Sequence, residues 1–281
     1  MIEEIVIRNN PLSSAGTYHK SLSRGQFENY RHTKRAVGGH YRASFDVVLS
    51  LNEMYTFFSE NLFREVQVFN HRGIGVWEGF IFGMTLSLGG FSMSVSLQSM
   101  ANRMWARYYN GTSTVRSTTV EDTDSQDRYW IREQVLTMGE ATPALAEQAL
   151  YTRLGQVSDP SIPAIEWRGE AKHPVKLSVE CRGYWDLLWW RVYNQTTLSG
   201  NADADVIIGN ILDDIAPWVL EREIADNNTQ VEQEIDADRW AGDFINSIAA
   251  LGDGGYDRWI AGVTWGRKFY YREAAQKEIP T

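Results

Sequence analysis

The chain of 281 residues has a single cysteine, Cys181. One cysteine excludes an internal disulfide framework and a thiolate metal cluster, and it suits synthesis in a reducing compartment. Long apolar runs are missing too. No stretch approaches the ~18 consecutive apolar residues of a membrane span, so no membrane insertion is expected. No basic stretch leads into an apolar run at the start, so no secretory leader is expected either. Positive charge is in the minority: Lys and Arg number 27 against 36 Asp and Glu, for a net charge of −9. A protein that neutralises nucleic-acid phosphates needs a basic face, so that class is disfavoured.

Templates for chemistry are also missing. There is no GxxxxGK[ST] phosphate loop. The glycines of Gly73–Gly79 leave a polar turn instead of joining a strand to a helix, which reads as a hairpin. The five histidines, at 19, 32, 40, 71 and 173, show no helical metal-ligand spacing and read as solvated loop residues. Cys181 falls on the apolar side of an alternating segment and reads as a buried small hydrophobe. Asp213-Asp214 and Glu221/Glu223 are unremarkable in so acidic a chain. Gly252–Asp257 reads as a helix stop and turn and does not match calcium loops. No catalytic, cofactor-binding or metal-binding residue is assigned, and no enzyme activity is expected.

What the chain has in excess is aromatic side chains: 11 Trp, 13 Tyr and 11 Phe. Aromatics suit half-buried pleated surfaces and interfaces. Hydrophobic residues at 43% and charged residues at 22% complete an ordinary globular balance.

Along the chain, Ile5–Ile7 reads as a short strand, followed by a polar, basic stretch over 11–39. Together residues 1–40 are expected to form an extended arm that orders on a partner. Residues 41–110 read as a first β unit. It contains a strand at 41–49, a helix over Glu53–Leu62 capped by Asn52, and a meander over 63–97 with a Gly89-Gly90 hairpin. Residues 111–164 read as a small mixed insertion with a helix started by Thr142-Pro143 and ended by Gly155. Residues 165–273 read as a second β unit. Val175–Cys181 alternates strictly, helices cover 205–216 and the segment after Asp238, and two strands span 259–271. Residues 274–281 read as a flexible tail. The fold class expected is mainly β, within α+β. Gly79 and Gly183 are expected where the backbone bends or approaches closely.

Three segments together resemble a known family. They are Val66–Ile81 with Met100–Tyr108, then Val175–Arg191, then Asp238–Asp253 ending in Trp265–Arg272. Their order resembles the tail hub and baseplate hub proteins of tailed bacteriophages and related injection machines. Trp130–Gly155 is similar to the small insertion that separates two barrels in such proteins. The resemblance implies two β-barrel-like units, each with crossing helices, in a chain of which three copies form a ring. Such a ring joins the tail tube to the tail tip in the virion and is assembled in the host cytoplasm. Viral DNA passes through without specific binding, and an acidic wall suits that. Two other readings stand beside it. One is a carbohydrate- or receptor-binding module using Trp185, Trp189, Trp190 and Tyr193. The other is a hydrolase with two carboxylates in one cleft.

Overall fold

The computed structural model describes residues 1–10, 19–160, 164–167, 175–193, 201–232, 238–253 and 257–274. The chain is mainly β with helices laid against its sheets, and among the described residues no sheet closes into a barrel. Strands β1 (Ile2–Arg8), β2 (His19–Ser23), β3 (Phe27–Arg35) and β4 (Gly38–Val47) come first, followed by helix α1 (Leu51–Glu60). Strands β5 (Glu65–Asn70), β6 (Gly75–Leu88) and β7 (Phe91–Ser96) form the expected meander. The polar cluster at 70–74 turns the chain between β5 and β6: the Asn70 side-chain oxygen accepts from the Arg72 and Ile74 N–H groups.

A small α/β layer follows. It comprises β8 (Arg103–Tyr109), β9 (Thr114–Arg116), β10 (Val120–Glu121), α2 (Thr123–Tyr129), β11 (Glu133–Glu140) and α3 (Pro143–Val157). β11 pairs with β8 in parallel, so the mixed unit starts with β8 and not after it. Thr142 caps α3, and the helix runs through Gly155 to Val157. Ala146, Leu150 and Leu154 of α3 meet Met104 and Ala106 of β8 in one core.

Strands β12 (Ala164–Trp167) and β13 (Lys176–Arg182) return the chain to the main sheet. A 3-10 turn, Tyr184–Trp189, leads into β14 (Val192–Tyr193), β15 (Asn201–Asp203) and α4 (Ala204–Ile215). The chain continues through β16 (Glu221–Ile224), β17 (Gln230–Glu232), β18 (Arg239–Trp240), α5 (Ala241–Leu251), β19 (Trp259–Thr264) and β20 (Lys268–Glu273).

The main sheet has twelve strands. β13 lies between β4 and β6, antiparallel to both, so strands of the two expected β units share one sheet. Six strands, β4-β13-β6-β5-β1-β2, enclose a first core. Their contributions include Ile5 and Ile7, Leu22, Phe45, Val66 and Val68, Trp77 and Ile81, and Leu177, Val179 and Cys181. Met54, Phe57 and Phe58 of α1 also join that core. β2 and β3 are joined by a tight turn at 23–26 but are not paired with one another. That leaves a seam where a closed barrel would have its last ladder. A second core gathers the 3-10 turn, α4, α5, β19, β20 and the other face of β6 through Phe80 and Phe82.

Several expectations change. The expected arm is not a free extension over its described residues, because Ile5 and Ile7 are fully buried and β1 pairs with both β2 and β5. Residues 19–35, expected as loop, form β2 and β3. The cap of α1 is Ser50, in a reciprocal capping box with Glu53, and Asn52 sits inside the first turn. This places Met54, Phe57 and Phe58 inward and leaves Tyr55 exposed. Asp238 does not cap α5: it pairs with Arg107 instead. His40 is buried, not solvated. Residues 11–18 of the expected arm, 161–163 of the linker, His173, 254–256 of the glycine turn and the tail beyond 274 lie outside the described residues.

Candidate functional site: a cationic cleft above a buried ion network

Two features stand out where the first and second cores meet. The first is a glycine-lined crossing. β4 runs beside β13 as far as Arg42 and then beside β19, which takes over at Gly38 and Gly39. A Cβ on Gly183 would overlap the His40 carbonyl, one on Gly79 the Arg182 carbonyl, and one on Gly39 the Val263 carbonyl. Only glycine lets four backbones approach this closely. Gly79 and Gly183 thus stand where the sequence placed them, at points of close approach.

Beside this crossing lies a buried ion network. Glu78 of β6 and Glu65 of β5 face the β19–β20 turn, where Arg267 adopts a left-handed backbone conformation (φ 53°). The Arg267 guanidinium pairs with Glu65, and the Arg267 backbone N–H donates to Glu78 Oε1 at 2.6 Å. The same guanidinium lies 5.1 Å from the centre of the Tyr184 ring. On the other side, the Glu78 backbone N–H donates to His40 Nδ1 at 3.1 Å, and His40 stacks on Trp77. Burial pushes the Glu78 carboxyl up to about 7, with Glu65 adding to it and the backbone donors of Arg267 and Gly266 opposing. Burial holds the His40 imidazole down to about 3, aided by Lys34. An acceptor on His40 is fixed by the Glu78 N–H, so its neutral form is the one that fits.

These are two carboxylates in one dry place, as a carboxylate hydrolase would require. Neither Glu65 nor Glu78 lines the neighbouring cleft, and both are engaged with Arg267. The arrangement ties the β19–β20 turn to β5 and β6, and it offers no access for a substrate. Asp213, Asp214, Glu221 and Glu223 are exposed, the first pairing with Arg222 and the last two with Lys268.

The second feature is the cleft itself, about 740 Å³ between the β3–β4 turn, the 3-10 turn, α5 and the ends of β19 and β20. Lys34, Arg35 and Arg258 border it, with Tyr41, Trp185 and Trp189 as aromatic walls. The Arg35 guanidinium lies 3.5 Å over the Tyr41 ring. Trp185 and Trp189 meet edge to face at 5.5 Å, and Trp189 Nε1 donates to Asp243 at 2.9 Å. Asp186 also borders the cleft, and burial pushes its carboxyl up against the opposing pull of Arg182 and Arg132. On the far side of residues 34–36 a second hollow of about 570 Å³ is bordered by Lys268, Tyr270 and Arg272.

The aromatic cluster expected as a carbohydrate platform is mostly interior. Trp185, Trp190 and Tyr193 are buried in the second core, and only Trp189 keeps partial exposure. Cys181 is fully buried in the first core, and burial pushes its thiol well up. Among the described residues, no group of three or more His, Cys, Asp or Glu is arranged to hold a metal ion. No helix among them is long and apolar enough to cross a membrane.

Sequence reasoning passed over His40, Glu78 and Arg267. Glu78 did carry a signal, as the one acid inside the apolar run from Val76 to Leu88. A charge in such a run either breaks the strand or has a buried partner. Lys34, Arg35 and Arg258 carried none, since 223 residues separate Arg35 from Arg258. No family model matches the chain, and neither a curated protein nor a solved structure matches it.

Proposed function

We propose that the chain is a structural ring subunit of a bacteriophage tail, a hub that joins tail tube to tail tip, and that it works by assembling with copies of itself. The observation that carries this reading is two open edges of the main sheet, β3 and β16. β3 pairs only with β4 among the described residues, and seven of its nine residues are exposed. Its exposed side chains include Arg31, His32, Lys34 and Arg35. β16, at the other end of the β4-β19-β20-β16 run, pairs only with β20 among the described residues and exposes Glu221 and Glu223.

A long exposed edge strand presents unpaired backbone groups and is a ready template for pairing with another chain. The two edges differ in charge: β3 carries Arg31, Lys34 and Arg35 against Glu28, and β16 carries Glu221 and Glu223 against Arg222, with Lys268 paired to both glutamates. Unlike edges on one molecule favour a head-to-tail contact, which closes into a ring when the rotation allows. In this reading a homotrimer is the assembly, with the six strands of the first core acting as one barrel-like unit. β16, β19 and β20 with α4 and α5 act as the second. Tail tube and tail-tip proteins would meet the two faces of the ring, at the tip of the virion, and the acidic balance would let DNA pass unbound. The carbohydrate-binding reading loses its platform, since that cluster is largely core.

The test is charge reversal on β3. Sedimentation velocity of the native chain should show a concentration-dependent oligomer. R31E with H32E should shift it to monomer while leaving the melting temperature within a few degrees. An oligomer of unchanged stability in the double variant would rule out the β3 edge as the contact.

A further inference from the structure

We propose that the cleft between the β3–β4 turn and α5 is a binding site for a phosphate monoester carried on a ring, that is, a nucleotide or a sugar phosphate. Its volume of about 740 Å³ lies within the roughly 300–1,000 Å³ of small-molecule pockets. The charge around it runs against the molecule. The chain is acidic at −9, and Arg103, Arg107, Lys176, Arg222, Arg267 and Lys268 each have a carboxylate partner. Lys34, Arg35 and Arg258 border the cleft without a carboxylate partner among the described residues. Three cations bordering one cleft match a group of charge near −2 with three acceptor oxygens.

Arg35 is already oriented. Its guanidinium is stacked on Tyr41, which leaves the in-plane N–H fork for an oxyanion and reduces the ordering cost of binding. The one acid on the wall, Asp186, lies 4.0 Å from Arg182 Nη1, so its charge is answered from below. The ring requirement comes from the walls. Trp189, partly exposed and pinned by Asp243, is the aromatic face on the cleft, and the buried Trp185 backs it edge to face. A base or a pyranose has a face that fits against one such indole. Asn246 of α5 adds an amide for a ring substituent. The cleft shares Lys34 and Arg35 with the β3 edge of the ring-subunit reading, so a paired edge and a bound phosphate compete for the same two cations.

The test is a calorimetric titration of the full chain at low salt, with tryptophan fluorescence read in parallel. The probes are inorganic phosphate, thymidine monophosphate and glucose 6-phosphate. At least one ring-bearing phosphate should bind saturably, about tenfold or more tighter than inorganic phosphate, and quench fluorescence. A preference for thymidine monophosphate assigns a nucleotide, and a preference for glucose 6-phosphate assigns a sugar phosphate. K34Q with R258Q, both surface changes, should weaken binding about tenfold or more without changing the melting temperature. No saturable signal with any probe would overturn the proposal. So would equal binding of inorganic phosphate and both esters, or unchanged binding by the double variant.

Discussion

Glu78 and His40 touch through one hydrogen bond and pull the stability of the protein in opposite directions with pH. His40 is kept neutral down to about 3, against an ordinary 6.5. The unfolded chain therefore takes up that proton first, and folding loses stability as pH falls from 6.5 toward 3. Glu78 is kept neutral up to about 7, against an ordinary 4.5. Its folded form holds the proton longer, so stability is fully present below 4.5 and is lost as pH rises toward 7. Each effect is on the order of 3–5 kcal/mol. Between about pH 4.5 and 6.5 the two slopes oppose and cancel. Below that window only the His40 loss remains. The urea midpoint of the native chain should accordingly change little across the window and fall below it. E78Q keeps a hydrogen-bond acceptor for Arg267 and removes one slope, so its midpoint should decline steadily from pH 6.5 downward. Superimposable profiles for the two proteins would show that Glu78 does not titrate as described.

The glycines of the crossing act by size alone. Gly79 and Gly183 have no left-handed backbone to protect, yet a Cβ on either would run into a carbonyl of the neighbouring strand. Valine at either position should cost on the order of 3 kcal/mol or more, read as a drop in thermal or urea midpoint. Their role was legible in the sequence: Gly79 lies inside a strand-like run, and Gly183 directly follows an alternating one. His40 was not, because a histidine beside Gly38 and Gly39 reads equally well as part of a turn.

At the scale of elements, local signals were most legible where burial agreed with period. β13 alternates with Leu177, Val179 and Cys181 inward, as read. α4 stops before Pro217, and α5 ends at Gly252, whose φ of 67° needs glycine. Boundaries shifted where a stronger local option existed. Ser50 with Glu53 satisfies two backbone donors at once, which Asn52 cannot match. The least legible elements were β2 and β3. β3 is exposed at seven of its nine positions and Leu22 is the one buried residue of β2, so no alternation marks either strand. β1 shows what that cost the reading of residues 1–40. Deleting residues 1–8 removes Ile5 and Ile7 from the first core and leaves β2 and β5 without a partner on one side. Large-to-small changes at a single buried isoleucine already cost about 2–5 kcal/mol. The truncated chain should lose its cooperative thermal transition by circular dichroism. A truncated chain melting within a few degrees of the full one would contradict this placement of β1.

At the scale of the molecule, the strand order is what the sequence could not show. β13 enters between β4 and β6 from more than eighty residues away in sequence. No local pattern encodes a pairing of that range, so strands read as two consecutive units share one sheet. Charge distribution followed the same rule. The net charge was visible at once, while the segregation of basic β3 from acidic β16 became visible only with the sheet assembled. That segregation is what supports the proposed head-to-tail ring. The central claim, assembly of this chain with itself, is tested most directly by the mass of the purified protein from light scattering, with negative-stain images of the same sample. The account predicts a mass of three copies and ring-shaped particles. A monomer mass at every concentration, with no rings in the images, would contradict it.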